Sequence, residues 1–169
     1  MKTTIRFAAG LLALAFAAAD QIAGQTNNSS SLAGSWQLVF TPTGPASAAI
    51  VPIHALATFT SDGSTIETDA AETVPLHADG MSIYGTPGHG IWQPAPAVGT
   101  LFIQFINLRI NENQSLYATR TVTISGALDS TGNEFSGNFA AETRDPAGHV
   151  ISTKSGTVTG HRIPHPLLP

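Results

Sequence analysis

The chain has 169 residues, of which 42% are hydrophobic and 11% charged, and this length and composition fit one folded domain. It contains no cysteine, which excludes disulfides, thiolate catalysis and cysteine-bound zinc. Its net charge of −4 argues against a nucleic-acid partner, because phosphate binding needs a basic surface.

The first 19 residues are typical of a secretory signal peptide. Lys2 and Arg6 precede an apolar run that is short for a bilayer span, and Ala17-Ala18-Ala19 fits a small-residue cleavage site. Its removal leaves five basic and eleven acidic residues, a net charge of −6. We therefore expect an exported protein, secreted or periplasmic, without a stable membrane span; an uncleaved anchor is the alternative. Residues 20–31 are polar and predict a flexible arm.

The rest of the chain, residues 32–163, predicts strands and turns. Apolar residues alternate with polar ones, as in Trp36, Leu38 and Phe40, which is the period of a half-buried strand. Asp62-Gly63 and Asp145-Pro146-Ala147-Gly148 are typical of tight turns. Strands are expected at residues 35–41, 53–60, 65–69, 89–93, 99–110, 117–128, 134–144 and 149–163.

Two connections are less regular than the others. Residues 42–52 contain three prolines and predict a loop that covers one end of the molecule. Residues 70–85 predict a short helix or a second loop. Residues 164–169 form a proline-containing tail that ends strand pairing. Eight strands without an amphipathic helix predict an all-β, eight-stranded antiparallel up-and-down barrel, and a two-sheet sandwich is the alternative.

Several short motifs carry a family resemblance that covers roughly residues 32–163. Gly34-Ser35-Trp36 on the first strand and Arg162 on the last resemble the lipocalin, or calycin, architecture. The chain is also similar to a group of uncharacterised bacterial secreted lipocalin-like proteins. The motifs shared with that group are Gly34-Ser35-Trp36, Phe59-Thr60-Ser61-Asp62-Gly63, His89-Gly90-Ile91-Trp92, Arg144-Asp145-Pro146-Ala147-Gly148 and Thr159-Gly160-His161-Arg162-Ile163.

The resemblance implies both a closure and a function. Trp36 is expected under Arg162 at a closed end of the barrel, where a guanidinium over an indole gains a cation–π contact. A lipocalin-like barrel is expected to bind a small hydrophobic or weakly acidic molecule in a central cavity. The alternative resemblance, to allene-oxide-cyclase and dirigent barrels, implies an enzyme that acts on a hydrophobic substrate.

Arg120 is the main candidate for a polar ligand contact. It shares the parity of Ala118, Val122 and Ile124, so alternation directs it into the barrel. A buried charge must be paired or bind something, so Arg120 is expected to anchor an acidic ligand. The alternatives are an internal carboxylate partner such as Glu67, or a bulge that reverses the register of the strand. Gln104 is a second interior polar candidate, and the apolar lining of the cavity is expected from Phe59, Phe102, Val122, Phe135 and Phe139.

His89 and Trp92 complete the candidate ligand contacts. They are expected on opposite faces of a short strand near one mouth, where a histidine can act as a general acid or base. Spacing fixes no catalytic partner, so the catalytic residues are unknown. The histidines have no metal-ligand spacing and no nucleotide fingerprint occurs, so the sequence predicts no metal and no cofactor.

The strand at residues 101–110 is apolar on both faces. Leu101, Ile103 and Phe105 lie on one face, and Phe102, Ile106 and Leu108 lie on the other. One of these faces must point outward from a barrel, so it is expected to be covered by another segment of the chain or to form a homodimer surface.

Overall fold

The chain folds into antiparallel strands. The computed structural model describes residues 31–44, 51–72, 74–78, 80–97 and 99–164. The strands are β1 (Gly34–Pro42), β2 (Ile53–Phe59), β3 (Ser64–Asp69), β4 (Leu76–Ala78), β5 (Met81–Gly85), β6 (Gly88–Pro94), β7 (Thr100–Asn111), β8 (Leu116–Leu128), β9 (Glu134–Arg144) and β10 (Val150–Arg162). A 3-10 turn, Ala70–Glu72, follows β3.

Eight of these strands close into a barrel. Around the ring the order is β1, β2, β3, β6, β7, β8, β9 and β10, each antiparallel to the next, and β10 returns to pair with β1. The predicted eight-stranded up-and-down barrel is therefore confirmed, and the sandwich alternative is wrong. Closure leaves none of the eight strands at a sheet edge.

The remaining strands, β4 and β5, form a hairpin that extends one wall. β5 and β6 both pair with β7, β5 near Arg109 and β6 between Leu101 and Ile106. Between them, the Thr86 amide donates to the Leu108 carbonyl and the Leu108 amide to the Thr86 hydroxyl, both at 3.0 Å. The prediction of a short helix or a loop at residues 70–85 is therefore wrong for β4 and β5. Among the described residues of this segment, only the 3-10 turn at Ala70–Glu72 is helical.

Both predicted tight turns are confirmed. Gly63 joins β2 to β3 with a φ of 91°, in the region that glycine adopts without steric cost. In the turn before β10, the Gly148 amide donates to the Asp145 carbonyl at 2.9 Å. These turns fix the register of their hairpins, so the alternation read from the sequence places most side chains on the correct face.

Trp36 and Arg162 meet at one end of the barrel, as predicted. They are partners in the β1–β10 register, and the guanidinium carbon of Arg162 lies 4.5 Å from the centre of the indole ring. Trp36 is fully buried, and its Nε1 donates to the Leu32 carbonyl at 2.8 Å. The indole therefore seals this end while its single donor is satisfied.

Arg162 also fastens two neighbouring segments to the barrel. Its Nη1 donates to the Ala33 carbonyl at 2.5 Å, Nη2 to that of Ser31 at 2.6 Å, and Nε to that of Gly132 at 2.9 Å. Gly34 permits this approach, because its φ is 132° and a Cβ there would lie 2.7 Å from Nη1. The glycine of the Gly-x-Trp motif is thus required by the arginine.

Side chains fill the barrel from this closed end to its middle. The interior positions of β1, β2, β7, β8 and β9 form one cluster of buried apolar residues. Phe40 and Phe139 meet edge to face, with ring centres 5.3 Å apart. Three other contacts place a core ring against a glycine of a neighbouring strand, where an added Cβ would lie only 2.6 to 2.8 Å from the ring. These pairs are Phe105 with Gly88, Phe135 with Gly126, and Phe139 with Gly156.

The outer surface keeps an apolar face around β7. Ile106 and Leu108 are 45% and 41% exposed, and Ile66 and Ile91 on the neighbouring strands are also exposed. The two-faced strand is therefore confirmed, while the homodimer through it stays a prediction. The predicted signal peptide at 1–19, nearly all of the predicted arm at 20–31, the centre of the predicted loop at 42–52 and most of the predicted tail at 164–169 lie outside the described residues.

Replacing Trp36 by alanine tests the closure. We expect Trp36→Ala to lower the free energy of unfolding by roughly 3 to 5 kcal/mol, the usual cost of deleting a buried aromatic side chain. Urea denaturation followed by circular dichroism measures it. Trp92→Ala is the control, and it should cost less because Trp92 is only partly buried. A loss below about 1 kcal/mol for Trp36→Ala would show that the indole does not hold the barrel closed.

Candidate functional site

Charged and polar side chains replace apolar ones on the inner wall at the end opposite Trp36. Glu67 and Asp69 come from β3, where they share the inward parity of Thr65. Asn107 and Arg109 come from β7, where they continue the inward series of Leu101, Ile103 and Phe105. Glu67, Asp69, Asn107 and Arg109 are each at most 8% exposed. Together with Glu72 and Arg120 they are called the charged cluster below.

Arg120 is directed into the barrel, as its parity predicted. It faces Asn107 of β7 and Thr143 of β9 in the strand register. Its Nη1 lies 3.3 Å from Oδ2 of Asp69, and the two side chains are 13% and 4% exposed. Of the two alternatives, the internal carboxylate partner is present, but it is Asp69 rather than Glu67.

The 3-10 turn after β3 brings a third carboxylate to the cluster. Oε1 of Glu72 accepts a hydrogen bond from the Asp69 amide at 3.2 Å. A Cβ at Gly85 would lie 2.6 Å from Nη1 of Arg109 and 3.4 Å from Cγ of Glu72. Arg109 and Glu72 therefore both pack against Gly85 of β5. A side chain at this position would displace them.

Four buried polar atoms of the cluster lack a hydrogen-bond partner. They are Oε2 of Glu67, Oδ1 and Nδ2 of Asn107, and Nη1 of Arg109; the neighbouring Thr65 hydroxyl is a fifth. A buried polar atom without a partner costs about 1 to 3 kcal/mol, and such atoms are rare in folded proteins. Their concentration at one place marks a site where another polar group belongs.

Burial shifts the protonation of this cluster. Loss of solvation, followed by the charge of Asp69, raises the pKa of Glu67 from 4.5 to about 8. Burial likewise raises the pKa of Glu72 and lowers that of Arg109. At pH 7 Glu67 is therefore mostly a neutral acid that can donate a hydrogen bond.

Some of the residues predicted to line the cavity lie on the inner face of the barrel, and others lie on its outer face. Phe59, Val122, Phe135 and Phe139 point inward as expected. At most 3% of each is reached by a water-sized probe, so they pack as core and border no sizeable open space.

Phe102 and Gln104 lie on the outer face, so their predicted interior position is wrong. Their neighbours on β7, Leu101, Ile103 and Phe105, occupy the inward positions. Both faces of this strand are apolar, so its own alternation could not decide which face the core would take.

His89 and Trp92 lie on opposite faces of β6, as expected, and the barrel wall separates His89 from the inward Arg120. His89 is exposed on the outer face. Trp92 packs against the core, and its Nε1 donates to the Thr60 carbonyl at 2.8 Å, beside the β2–β3 turn at the closed end. The structure therefore does not bring His89, Trp92 and Arg120 into one site.

The sequence reasoning identified Arg120 and missed the residues around it. The sequence predicts Glu67 only as a partner for Arg120, and it assigns no role to Asn107 and Arg109. The available signal was parity, because residues 101, 103, 105, 107 and 109 alternate on one face of a single long strand. Extending the apolar face of β7 to its polar end would have placed Asn107 and Arg109 inside.

Two features are absent from the described part of the chain. No group of three or more His, Cys, Asp or Glu side chains there is arranged to hold a metal ion. Among the same residues, no helix has the length and hydrophobicity of a membrane span.

Comparison of the chain with models of known protein families, with curated proteins and with solved structures finds no match. The fold is therefore assigned from the strand pairing alone. The resemblance to lipocalin-like proteins stays an expectation from the sequence.

The pKa of Glu67 predicts a pH dependence of stability. Between about pH 4.5 and 8 the folded protein keeps a proton on Glu67 that the unfolded chain releases. The contribution of this group to the free energy of unfolding is therefore complete below pH 4.5 and is lost as the pH rises toward 8. Its slope is at most about 1.4 kcal/mol per pH unit.

Urea denaturation of Glu67→Gln across this range measures the effect, because glutamine carries no titrating proton. We expect the wild-type protein to lose stability more steeply than Glu67→Gln as the pH rises. The exposed Glu112→Gln is the matched control and should keep the wild-type slope. Equal slopes in the wild type and Glu67→Gln would show that Glu67 titrates alike in the folded and unfolded states.

Proposed function

We propose that this chain is an exported β-barrel that binds a small, weakly acidic molecule, with the acidic group of the ligand at the charged cluster. One observation carries the proposal. Arg109 Nη1 and Asn107 Nδ2 are buried donors without partners, on successive inward positions of one strand. Both atoms are closed to solvent in this structure, so a ligand oxygen would reach them by displacing neighbouring side chains, and it would then remove their desolvation cost.

The donors favour an acidic group over a neutral one. A guanidinium beside an amide presents several N–H groups to the two oxygens of a carboxylate or to an enolate oxygen. Neutral Glu67 adds an O–H donor at pH 7. Because Arg120 already pairs with Asp69, Arg109 is the cation of the cluster that such a ligand would approach.

The packing of the barrel favours a small ligand. The apolar half is filled by side chains up to Phe40 and Ala141, so a long hydrophobic chain has no room below the cluster. The rest of the ligand would extend toward the mouth, past Arg120 and the partly buried Ile53. The ligand we propose is therefore a short acid rather than a lipid.

An enzyme is the second candidate, and Glu67 is the observation that favours it. A buried carboxyl with a pKa of about 8 can both donate and accept a proton near neutral pH, which is the property of a general acid or base. A cyclase or isomerase acting in this barrel would use Glu67 with Arg109 or Arg120. His89 would take no part, because it lies outside.

Replacing Asn107 by leucine tests the binding function. Asn107→Leu removes two buried polar atoms without partners at nearly constant volume. We expect the free energy of unfolding to rise by about 1 to 3 kcal/mol while binding is lost. Native mass spectrometry of the purified wild-type protein detects a co-purified small acid, and urea denaturation measures stability.

Asn138→Leu, on the outer face of β9, is the matched control and should keep the ligand. Two results would contradict the proposal. Asn107→Leu could retain the ligand, or it could destabilise the fold as much as a core truncation. The second result would mean that Asn107 supports the barrel and not a ligand.

A further inference from the structure

A groove lies on the outside of the barrel, separate from the charged cluster. It has a volume of about 610 Å³ and crosses the outer face of β7, β8, β9 and β10 to the end of β1. This volume falls in the range of about 300 to 1,000 Å³ that is usual for small-molecule sites. Five hydroxyl groups and one amide line it, from Thr43, Gln104, Thr121, Thr123, Thr153 and Ser155.

The strand register arranges these groups in two rows. Gln104, Thr123 and Ser155 lie in one row, with Ala140 between the last two. Thr121 and Thr153 lie in the second row, on either side of Glu142. Neighbouring strands are about 4.8 Å apart, so polar groups recur across the groove at that interval. Because Ala140 has the smallest side chain of its row, it leaves space in the groove.

The end of β1 closes one side of the groove. The Thr43 amide donates to the Ser155 carbonyl at 2.8 Å, and the Thr43 hydroxyl donates to the same oxygen at 3.0 Å. The position of Thr43 is therefore fixed by the barrel. The groove is built on strands along its length, which favours a defined binding geometry.

The charges in the groove are few and opposite. Glu142 accepts a hydrogen bond from Nε of Arg144 at 2.6 Å, which leaves its other lone pairs as acceptors. The Lys154 side chain lies on the inner face, because it pairs with Ala141 and shares the inward parity of Gly156, so its ammonium takes no part in the groove. The pair of Glu142 and Arg144 has no net charge, so the groove has no electrostatic preference for an ion.

We propose that this outer groove binds a short neutral saccharide. Each hydroxyl both donates and accepts a hydrogen bond, and each sugar hydroxyl does the same. The rows of threonine and serine therefore match a ligand with several hydroxyl groups at similar spacing. The amide of Gln104 supplies a donor and an acceptor, and the carboxylate of Glu142 supplies acceptors, for its orientation.

Titration of the ¹⁵N-labelled full chain with cellobiose and with maltose tests the proposal by nuclear magnetic resonance. We expect at least one of the two sugars to shift the amide signals of residues 121–123, 140–142 and 153–155. The double variant Thr121→Val/Thr123→Val keeps the shape of the groove and removes two hydroxyl groups. Loss of one or two hydrogen bonds should weaken binding roughly tenfold.

Thr58→Val, exposed on the outer face of β2, is the matched control and should bind like the wild type. The absence of shifts with both sugars would overturn the proposal, as would equal weakening by Thr58→Val. Shifts confined to the charged cluster would also overturn it. Asn107→Leu should leave sugar binding unchanged. Sugar binding in the groove and acid binding at the cluster are therefore tested independently, and either proposal can be overturned while the other stands.

Discussion

The contact between Arg162 and Trp36 closes one end of the barrel, and the fold as a whole relies on this closure. It lies at the seam where the last strand returns to the first, and the same guanidinium holds the carbonyls of Ser31, Ala33 and Gly132. With the indole fully buried beneath it, this end is sealed. The charged cluster lies at the opposite end of the barrel, where the inward residues of β3 and β7 become polar.

The interior has an apolar half and a charged end, and burying side chains has a different free-energy cost in each. In the apolar half, burial of aromatic and branched side chains stabilises the fold without any polar group to satisfy. At the charged end, Arg109, Glu67 and Asn107 lose solvation without full compensation, and the pKa of Glu67 rises as a result. Stability is concentrated in one half, and the ligand site that we propose lies in the other. Such separation is common where a rigid scaffold carries a site.

The sequence predicted the barrel well because turns and alternation are local signals, and because the resemblance to lipocalin-like proteins implied the contact of Trp36 with Arg162. Arg120 was placed correctly for the same reason, since its strand is apolar on one face only. Gln104 was misplaced because β7 is apolar on both faces, and only pairing with neighbouring strands decides which face is buried. The β4–β5 hairpin was missed although Asp79-Gly80 in the sequence repeats the signal of Asp62-Gly63. The partnership of Arg120 with Asp69 joins residues 51 apart, and no local pattern reports it.

The contacts between core rings and glycines bear on how this barrel can vary. Each ring lies against a glycine of an adjacent strand, where even one methyl group would overlap it, as for Phe105 and Gly88. At Gly126 and Gly156 an added Cβ would also meet backbone oxygens, of Ser136 at 2.5 Å and of Thr41 at a still shorter distance, so a smaller ring would not admit a larger residue there. At Gly88 the ring of Phe105 is the nearest obstacle, so a larger residue there requires a smaller one at position 105. Among related chains, positions 88 and 105 should therefore exchange volume together, while positions 126 and 156 should stay glycine.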